Sequence, residues 1–299
     1  MKHNIRGNSL NITIDEQFDG RSISDFLSYF MVSAKNINAM KAGKQLFINR
    51  NQVSDLSLIL NKGDTLTINL PQHEVDYAPA DRECHVIYED DFVFVVHKEA
   101  GIIVHDDDRT DCLANQAAAY LLDHGISAPV RYIHRLDKET SGLVLFVKIP
   151  LFQPYYDYLL KEKLINRKYL AITDGKGKVG QKFTFRQNIG KDRHVNNRYR
   201  VSASGKEAVT KARIISKYRD YLLFECTLLT GRTHQIRVHL SHNHFRIVND
   251  DIYGIPSKVF HNMGLWAYQL QFPDILTGNN ITVRDIRNSD YDCFRLKDE

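Results

Sequence analysis

Between Arg131 and Lys148 the chain reads RYIHRLDKETSGLVLFVK, which sets one carboxylate, Asp137, among Arg131, His134, Arg135 and Lys138. A carboxylate held beside guanidinium groups is favoured in its ionised form, and charge-assisted hydrogen bonds fix its direction. Such an oxygen can act as a nucleophile or as a base. The plainer reading of an isolated R-x-D is an ion pair that pins a loop. A kinase-type H-R-D loop does not fit, because Leu136 separates Arg135 from Asp137 and no glycine-rich phosphate loop lies upstream. His134, Asp137 and Ser141 suggest a hydrolase triad, but the chain has no G-x-S-x-G elbow. His234, His239, His242 and His244 crowd together. His234 and His239 are five apart rather than the three or four that share a helix face, so no metal is expected there.

The elements around these residues must place them. HQIRVHLSHN, after a Gly-containing turn, reads as a helix, as do LANQAAAYLLDH and YYDYLLKEKL. FVFVVHK, LVLFVK, KYLAIT, KFTFRQ, EAVTKARII, YLLFECTLL, QLQFPD and NITVRDI read as strands. Strands outnumber helices and often follow one another directly, which predicts an α+β domain around a mixed, mostly antiparallel sheet with flanking helices over residues 84–299. In KYLAIT, alternation sets Tyr169 and Ala171 on one face and Leu170 and Ile172 on the other. Residues 73–83, within PQHEVDYAPADRE, have no apolar period and are expected to form a linker. Residues 12–72 read as a small α+β unit: RSISDFLSYF is helix-like, a second short helix follows near Lys35–Met40, and QLFINRNQV and DTLTINL alternate as strands.

Bulk properties narrow the classes. At 299 residues, 43% hydrophobic and 25% charged, the chain has the composition of a globular protein. No apolar run is long enough to cross a bilayer, and MKHNIRGNSLNITIDEQ lacks a signal-peptide core. Cys84, Cys112, Cys226 and Cys293 are dispersed with no C-x-x-C pair, which argues against a zinc site and for reduced thiols. A cytoplasmic monomer without membrane attachment is the expectation. Charge is uneven: Lys161 to Lys217 holds 16 Lys/Arg against 4 Asp/Glu, so the rest of a chain of net charge +4 carries −8. A basic segment on an acidic chain suits a polyanion, most commonly nucleic acid, although a solvated face would look the same.

HRLDKETSG resembles the signature of the RluA/RluD-type pseudouridine synthases, whose aspartate is then Asp137. Three further segments resemble that family in order. RKYLAI makes Tyr169 its active-site tyrosine, TGRTHQIRVHL makes Arg232 its active-site arginine, and NDDIYG supplies Asp250 and Tyr253. VVHKEAGIIVH is similar to its Lys-Pro-Ala-Gly segment with Glu99 for proline, while Asn249 replaces a glycine and Trp266 stands where histidine is common. The resemblance implies an isomerase that detaches a uridine from its sugar at N1 and rejoins it through C5, with RNA (ribosomal or transfer) as substrate and no metal or cofactor. Asp137, Tyr169 and Arg232 are implied to be catalytic, with Arg232 pairing Asp137. Arg135, His134, Thr140, Lys168, His234, Gln235 and Arg237 are the candidate substrate-binding residues, with Arg135 filling the space left by an everted base. The alternative is a non-catalytic RNA-binding protein on the same scaffold. The small N-terminal unit resembles the S-four-like RNA-binding module through Arg21, Asp25, Phe26, Leu27, Lys35, Lys41, Gly43, Asn49, Gly63 and Asp64, with Arg50 where that module has glycine. A flexible element near 190–204 is expected to clamp RNA.

Overall fold

The computed structural model describes residues 1–106, 110–286 and 288–294. The N-terminal strands β1 (Lys2–Arg6) and β2 (Ser9–Thr13) form a hairpin, followed by helices α1 (Ile23–Tyr29) and α2 (Ala34–Ala42) and strands β3 (Leu46–Ile48), β4 (Asn51–Gln52) and β5 (Thr65–Asn69). These strands make one sheet in the order β1-β2-β5-β3-β4. Ser22 and Ser33 cap the two helices, Ser22 with a reciprocal capping box to Asp25. The sheet therefore begins ten residues before the stretch 12–72 that the pattern marked. β1 escaped notice because KHNIR buries almost nothing and so shows no apolar period. Asn49 and Arg50 turn β3 into β4 with φ of 50° and 72°, the left-handed region that glycine enters without strain.

The remaining chain builds a ten-stranded sheet. Its elements are β6 (Val86–Glu89), β7 (Val93–Lys98), α3 (Leu113–Asp123), β8 (Arg131–Tyr132), β9 (Ser141–Val147), α4 (Gln153–Lys161), β10 (Asn166–Thr173), β11 (Lys182–Phe185), β12 (Ile189–Lys191), β13 (Tyr199–Val201), β14 (Thr210–Tyr218), β15 (Tyr221–Leu228), α5 (Gln235–His242), β16 (Leu265–Pro273) and β17 (Asn280–Arg284). The strand path is β11-β14-β15-β10-β16-β9-β7-β6, with β17 on β16 and β8 on β9. β16 and β9 run parallel while the other pairs are antiparallel, so the fold is α+β with a mixed sheet. β12 and β13 stand apart as a hairpin over the region expected to be a flexible clamp.

Two apolar layers sandwich this sheet. Phe94, Val96, Val144, Phe146, Ala171 and Phe224 pack under α3 and α5, whose Leu121, Ile236 and Leu240 are buried. On the other face Val93, Val95, Leu270 and Phe272 share one cluster with α4 and with the N-terminal unit. The intervening 73–83 stretch has no regular structure, as its composition predicts, yet it is tied down. Asp76 accepts from the Val130 amide at 2.7 Å and from Arg131 at 2.7 Å, and the Ala80 amide donates to the Asn115 carbonyl.

Candidate active site

Asp137 lies in the connection from β8 to β9, at the point where the sheet changes from antiparallel to parallel pairing. Gly142, one residue into β9, has φ of +117°, and a Cβ there would fall 2.3 Å from the Ala267 carbonyl oxygen on β16. The glycine therefore lets β9 lie close against β16 and fixes where the loop ends. The buried Lys98 ends β7 and donates from Nζ to the carbonyls of Glu99, Ile102 and Lys138, clasping the Asp137 loop to its neighbour. Gly101 adds an amide bond to the Lys138 carbonyl, and the Thr140 amide closes a turn onto the Asp137 carbonyl.

The loop faces the N-terminal end of α5. His234 precedes that helix in a left-handed conformation, φ 56°, and holds Nε2 3.9 Å from Asp137 Oδ2. One turn further, Arg237 extends its side chain back toward the helix start, as helical side chains do. Its Nη1 donates to Asp137 Oδ2 at 3.1 Å, while Nε and Nη2 grip both oxygens of Asp250 at 2.8 Å. Asp250 also accepts the amides of Ile252 and Tyr253. Burial pushes the Asp250 carboxyl upward, but the Arg237 contacts outweigh it and the group sits below the usual aspartate value. The Tyr253 hydroxyl accepts from the Tyr199 amide at 2.7 Å and meets His234 Nδ1 at 2.9 Å, and its ring lies 5.2 Å under the Arg237 guanidinium. The hairpin tip is thus joined to the carboxylate through three side chains.

Asp137 opens into a cleft of about 750 Å3, also lined by His134, Arg135, Tyr169, Arg232 and Arg237. This volume suits a nucleotide-sized ligand. Tyr169 is 4% exposed, and burial raises its phenol above the usual range, so the hydroxyl stays protonated. One cleft thus brings together a charge-fixed carboxylate, a buried aromatic ring and the cations Arg135, Arg167 and Arg232.

The family profile described as RNA pseudouridylate synthase matches residues 92–242, the span that holds Asp137, Tyr169 and Arg237. A Bacillus subtilis (strain 168) protein named Uncharacterized RNA pseudouridine synthase YhcT is 35% identical over 274 residues, covering 90% of each chain. The chain belongs to the RNA pseudouridylate synthase family. Ribosomal large subunit pseudouridine synthase D of Neisseria meningitidis serogroup A is 31% identical over 238 residues, 73% of this chain and 62% of that one. Among solved structures, human RNA Pseudouridylate Synthase Domain Containing 1 shares the fold with a TM-score of 0.57 at 22% identity, over 69% of this chain and 84% of that one. The chain is therefore an RNA pseudouridine synthase of the RluA/RluD type, an isomerase acting on RNA.

Within the synthase, the structure redistributes several expected roles. The guanidinium that meets Asp137 is that of Arg237, not Arg232. Arg232 precedes α5, is exposed, and donates from Nε to the Glu207 carbonyl at 2.9 Å, so it stands at the cleft mouth. Lys168 points to the opposite face of β10 from Tyr169 and pairs with Glu225 at 3.6 Å, because strand side chains alternate. The cation on the cleft face is Arg167, which lines the cavity with Tyr169. Gln235 lines the cleft but its amide is consumed by the frame, accepting from Thr230 and Arg232 and donating to Val209 and Thr210. Arg135 is exposed at the cleft edge, 3.5 Å from His105. His134 is 5% exposed and held neutral, its pKa pulled down to about 3 by burial and then by the charge of Arg167. Thr140 is buried against the cavity. His239 turns away from Asp137 and bonds Thr210 and the Gln187 carbonyl, which separates the histidines that crowd in sequence.

Proposed function

We propose that Asp137 carries the chemical step of uridine isomerisation, with Tyr169 stacked on the uracil and Arg237 orienting the carboxylate. The observation that supports this most is the single hydrogen bond from Arg237 Nη1 to Asp137 Oδ2 at the floor of a nucleotide-sized cleft. It fixes one carboxylate oxygen and turns the other toward the sugar–base bond. From there the carboxylate can attack the sugar carbon or take a sugar proton, and both routes begin from the same geometry. The N1–sugar bond breaks with its electron pair going to N1, the uracil turns within the cleft, C5 bonds the sugar carbon as the Asp137 carboxylate leaves it (or returns the sugar proton), and the freed carboxylate takes the C5 proton while solvent protonates N1. Atoms and electrons balance without an outside reactant other than solvent protons. The protonated Tyr169 hydroxyl is a donor to the detached base rather than the resting acceptor of the C5 proton.

The target nucleotide must first leave its stack, at a cost of a few kcal/mol that is smallest in loops and distorted RNA. Arg135, exposed at the cleft edge, fills the vacated position. Likeness to enzymes named for the large ribosomal subunit favours ribosomal RNA, with transfer RNA as the other arm of the test. The N-terminal sheet, from β1 to β5, with α1 and α2 acts as an RNA-binding module of the S-four-like type, and Arg21, Lys35 and Lys41 are exposed on it. We infer a cytoplasmic monomer, and four free cysteines suit that reducing compartment. Pseudouridine mapping in cells lacking this protein, restored with wild type or Asp137→Asn, tests the reading. One or a few uridines in ribosomal or transfer RNA should stay unmodified without the protein and with the Asn variant alone. Restoration by the Asn variant would remove Asp137 from the chemistry.

A further inference from the structure

Arg167 occupies the cleft wall two residues before Tyr169 on the same face of β10. Like the exposed Arg135 it has no carboxylate partner among the described residues, but its Nε is buried. Arg237 is saturated by two carboxylates, Lys168 has Glu225, and Arg232 has a carbonyl. Arg167 Nε is buried with no partner, and no carboxylate lies within ion-pair distance of it among the described residues. The guanidinium is instead wedged against backbone: a Cβ at Gly231 would fall 3.3 Å from its Nη2. That glycine leaves room for the flat group and holds it in the cavity.

The neighbours sharpen the point. His134 presents both ring nitrogens to the interior with no partner, and Thr140 Oγ1 is likewise unpartnered. All three residues line the one cleft. A buried polar group without a partner costs about 1–3 kcal/mol, and three in one wall mark a place where a ligand completes the bonding. A guanidinium is always charged and lacks its anion here. The base of an unreacted uridine is neutral, so it does not supply that anion on binding. In RNA the anion is phosphate, and an everted nucleotide brings its own into the cleft.

We propose that Arg167, with His134 beside it, forms a subsite for a phosphate flanking the everted uridine. This rests on the cleft being the uridine site. The subsite explains why the wall opposite Arg237 carries a cation without a counterion. It also ties entry of the base to capture of its backbone, so that a free base lacking the sugar–phosphate frame is held poorly.

The test compares uridine, uridine 5′-monophosphate and uridine 3′-monophosphate as competitors, with binding read by NMR shifts of the full chain. Wild type should bind one monophosphate about tenfold tighter than uridine, and the arm that wins names the phosphate. Arg167→Gln should erase that preference while leaving uridine binding intact, and Arg167→Lys should restore part of it. Equal binding of all three ligands, no binding of either monophosphate, or a preference that survives in Arg167→Gln would overturn the subsite. Pseudouridine mapping separates this from the broader reading. A monophosphate preference in a protein that forms no pseudouridine would retain the anion site and discard its assignment to uridine isomerisation.

Discussion

Arg237 carries two carboxylates on one guanidinium, and they depend on it differently. Asp250 is fully enclosed, whereas Asp137 is 24% exposed and takes only Nη1. Removing the arginine therefore does two things. Arg237→Ala leaves Asp250 as an uncompensated buried charge, a loss of about 3–5 kcal/mol that denaturant melts would show. Arg237→Lys keeps the charge but cannot reach both carboxylates, so the fold should survive while turnover drops roughly a hundredfold with little change in RNA affinity. The pH dependence follows from sign. The folded Asp250 carboxyl sits below its ordinary 3.8, so the stability it contributes is present above that value and lost as pH falls through the lower folded one. The difference between wild type and Asp250→Asn should be flat above about pH 5 and shrink in acid. Lys98 acts with the same sign higher on the scale. Burial lowers it from 10.5 to about 7, so the unfolded chain binds more protons between those values. Relative to Lys98→Met, wild type should gain on the order of 2 kcal/mol as pH rises from 7 to 9, read by urea melts at each pH.

At the scale of elements, the β12–β13 hairpin is where the basic segment approaches the chemistry. Arg193, Arg198 and Arg200 are exposed on it, while the Tyr199 amide anchors its tip to Tyr253. Replacing the three arginines with alanine should lower the melting temperature only slightly, since the one contact to a buried group that is lost is that of Arg198 over the Tyr253 ring at 6.0 Å. RNA affinity should fall, and the slope of log K against log salt should flatten by roughly 2 if each arginine holds close to one phosphate. An unchanged slope in filter binding would make the hairpin a bystander. The hairpin also shows what a sequence conveys. A flexible element was the expectation there, but pairing of Ile189 with Val201 is a contact across twelve residues that no local pattern announces. The strands with long apolar periods were legible, as was Asp137 in its motif. The arginine partner was not, because Arg232 and Arg237 sit in one motif and only the helix start, between them, decides which guanidinium reaches back to the loop. Arg167 was legible in principle: the alternation that puts Tyr169 on the cleft face puts residue 167 there and Lys168 behind it.

For the whole molecule, the question is whether the N-terminal sheet is an appendage or part of one cooperative body. Composition made 73–83 look like a tether between independent units. The packing argues otherwise. Phe30 at the end of α1 is fully buried, and its ring meets Phe152 at 5.4 Å and Tyr155 at 5.5 Å on the far side of that connection. Tyr29 adds a contact to Tyr155 at 6.1 Å, and His3 on β1 lies 5.0 Å from Phe92. Edge-to-face aromatic pairs contribute about 0.5–1.5 kcal/mol each beyond the area they bury. The apolar cluster runs without a break from Leu10 and Ile68 to Leu270 and Phe272. On the proposal that the N-terminal unit binds RNA, this seam would hold its cations at a fixed distance from Asp137. Calorimetry should then show a single transition for the intact chain. Phe30→Ala should lower the whole transition, at about 3–5 kcal/mol, rather than splitting off an early N-terminal melt. Removing residues 1–70 should leave Phe92, Phe152 and Tyr155 uncovered and the remainder prone to associate, with its activity lost through the fold as well as through RNA binding. Two separate transitions, with the later one untouched by Phe30→Ala, would show that the seam is contact without coupling and return the N-terminal unit to the status of a tethered module.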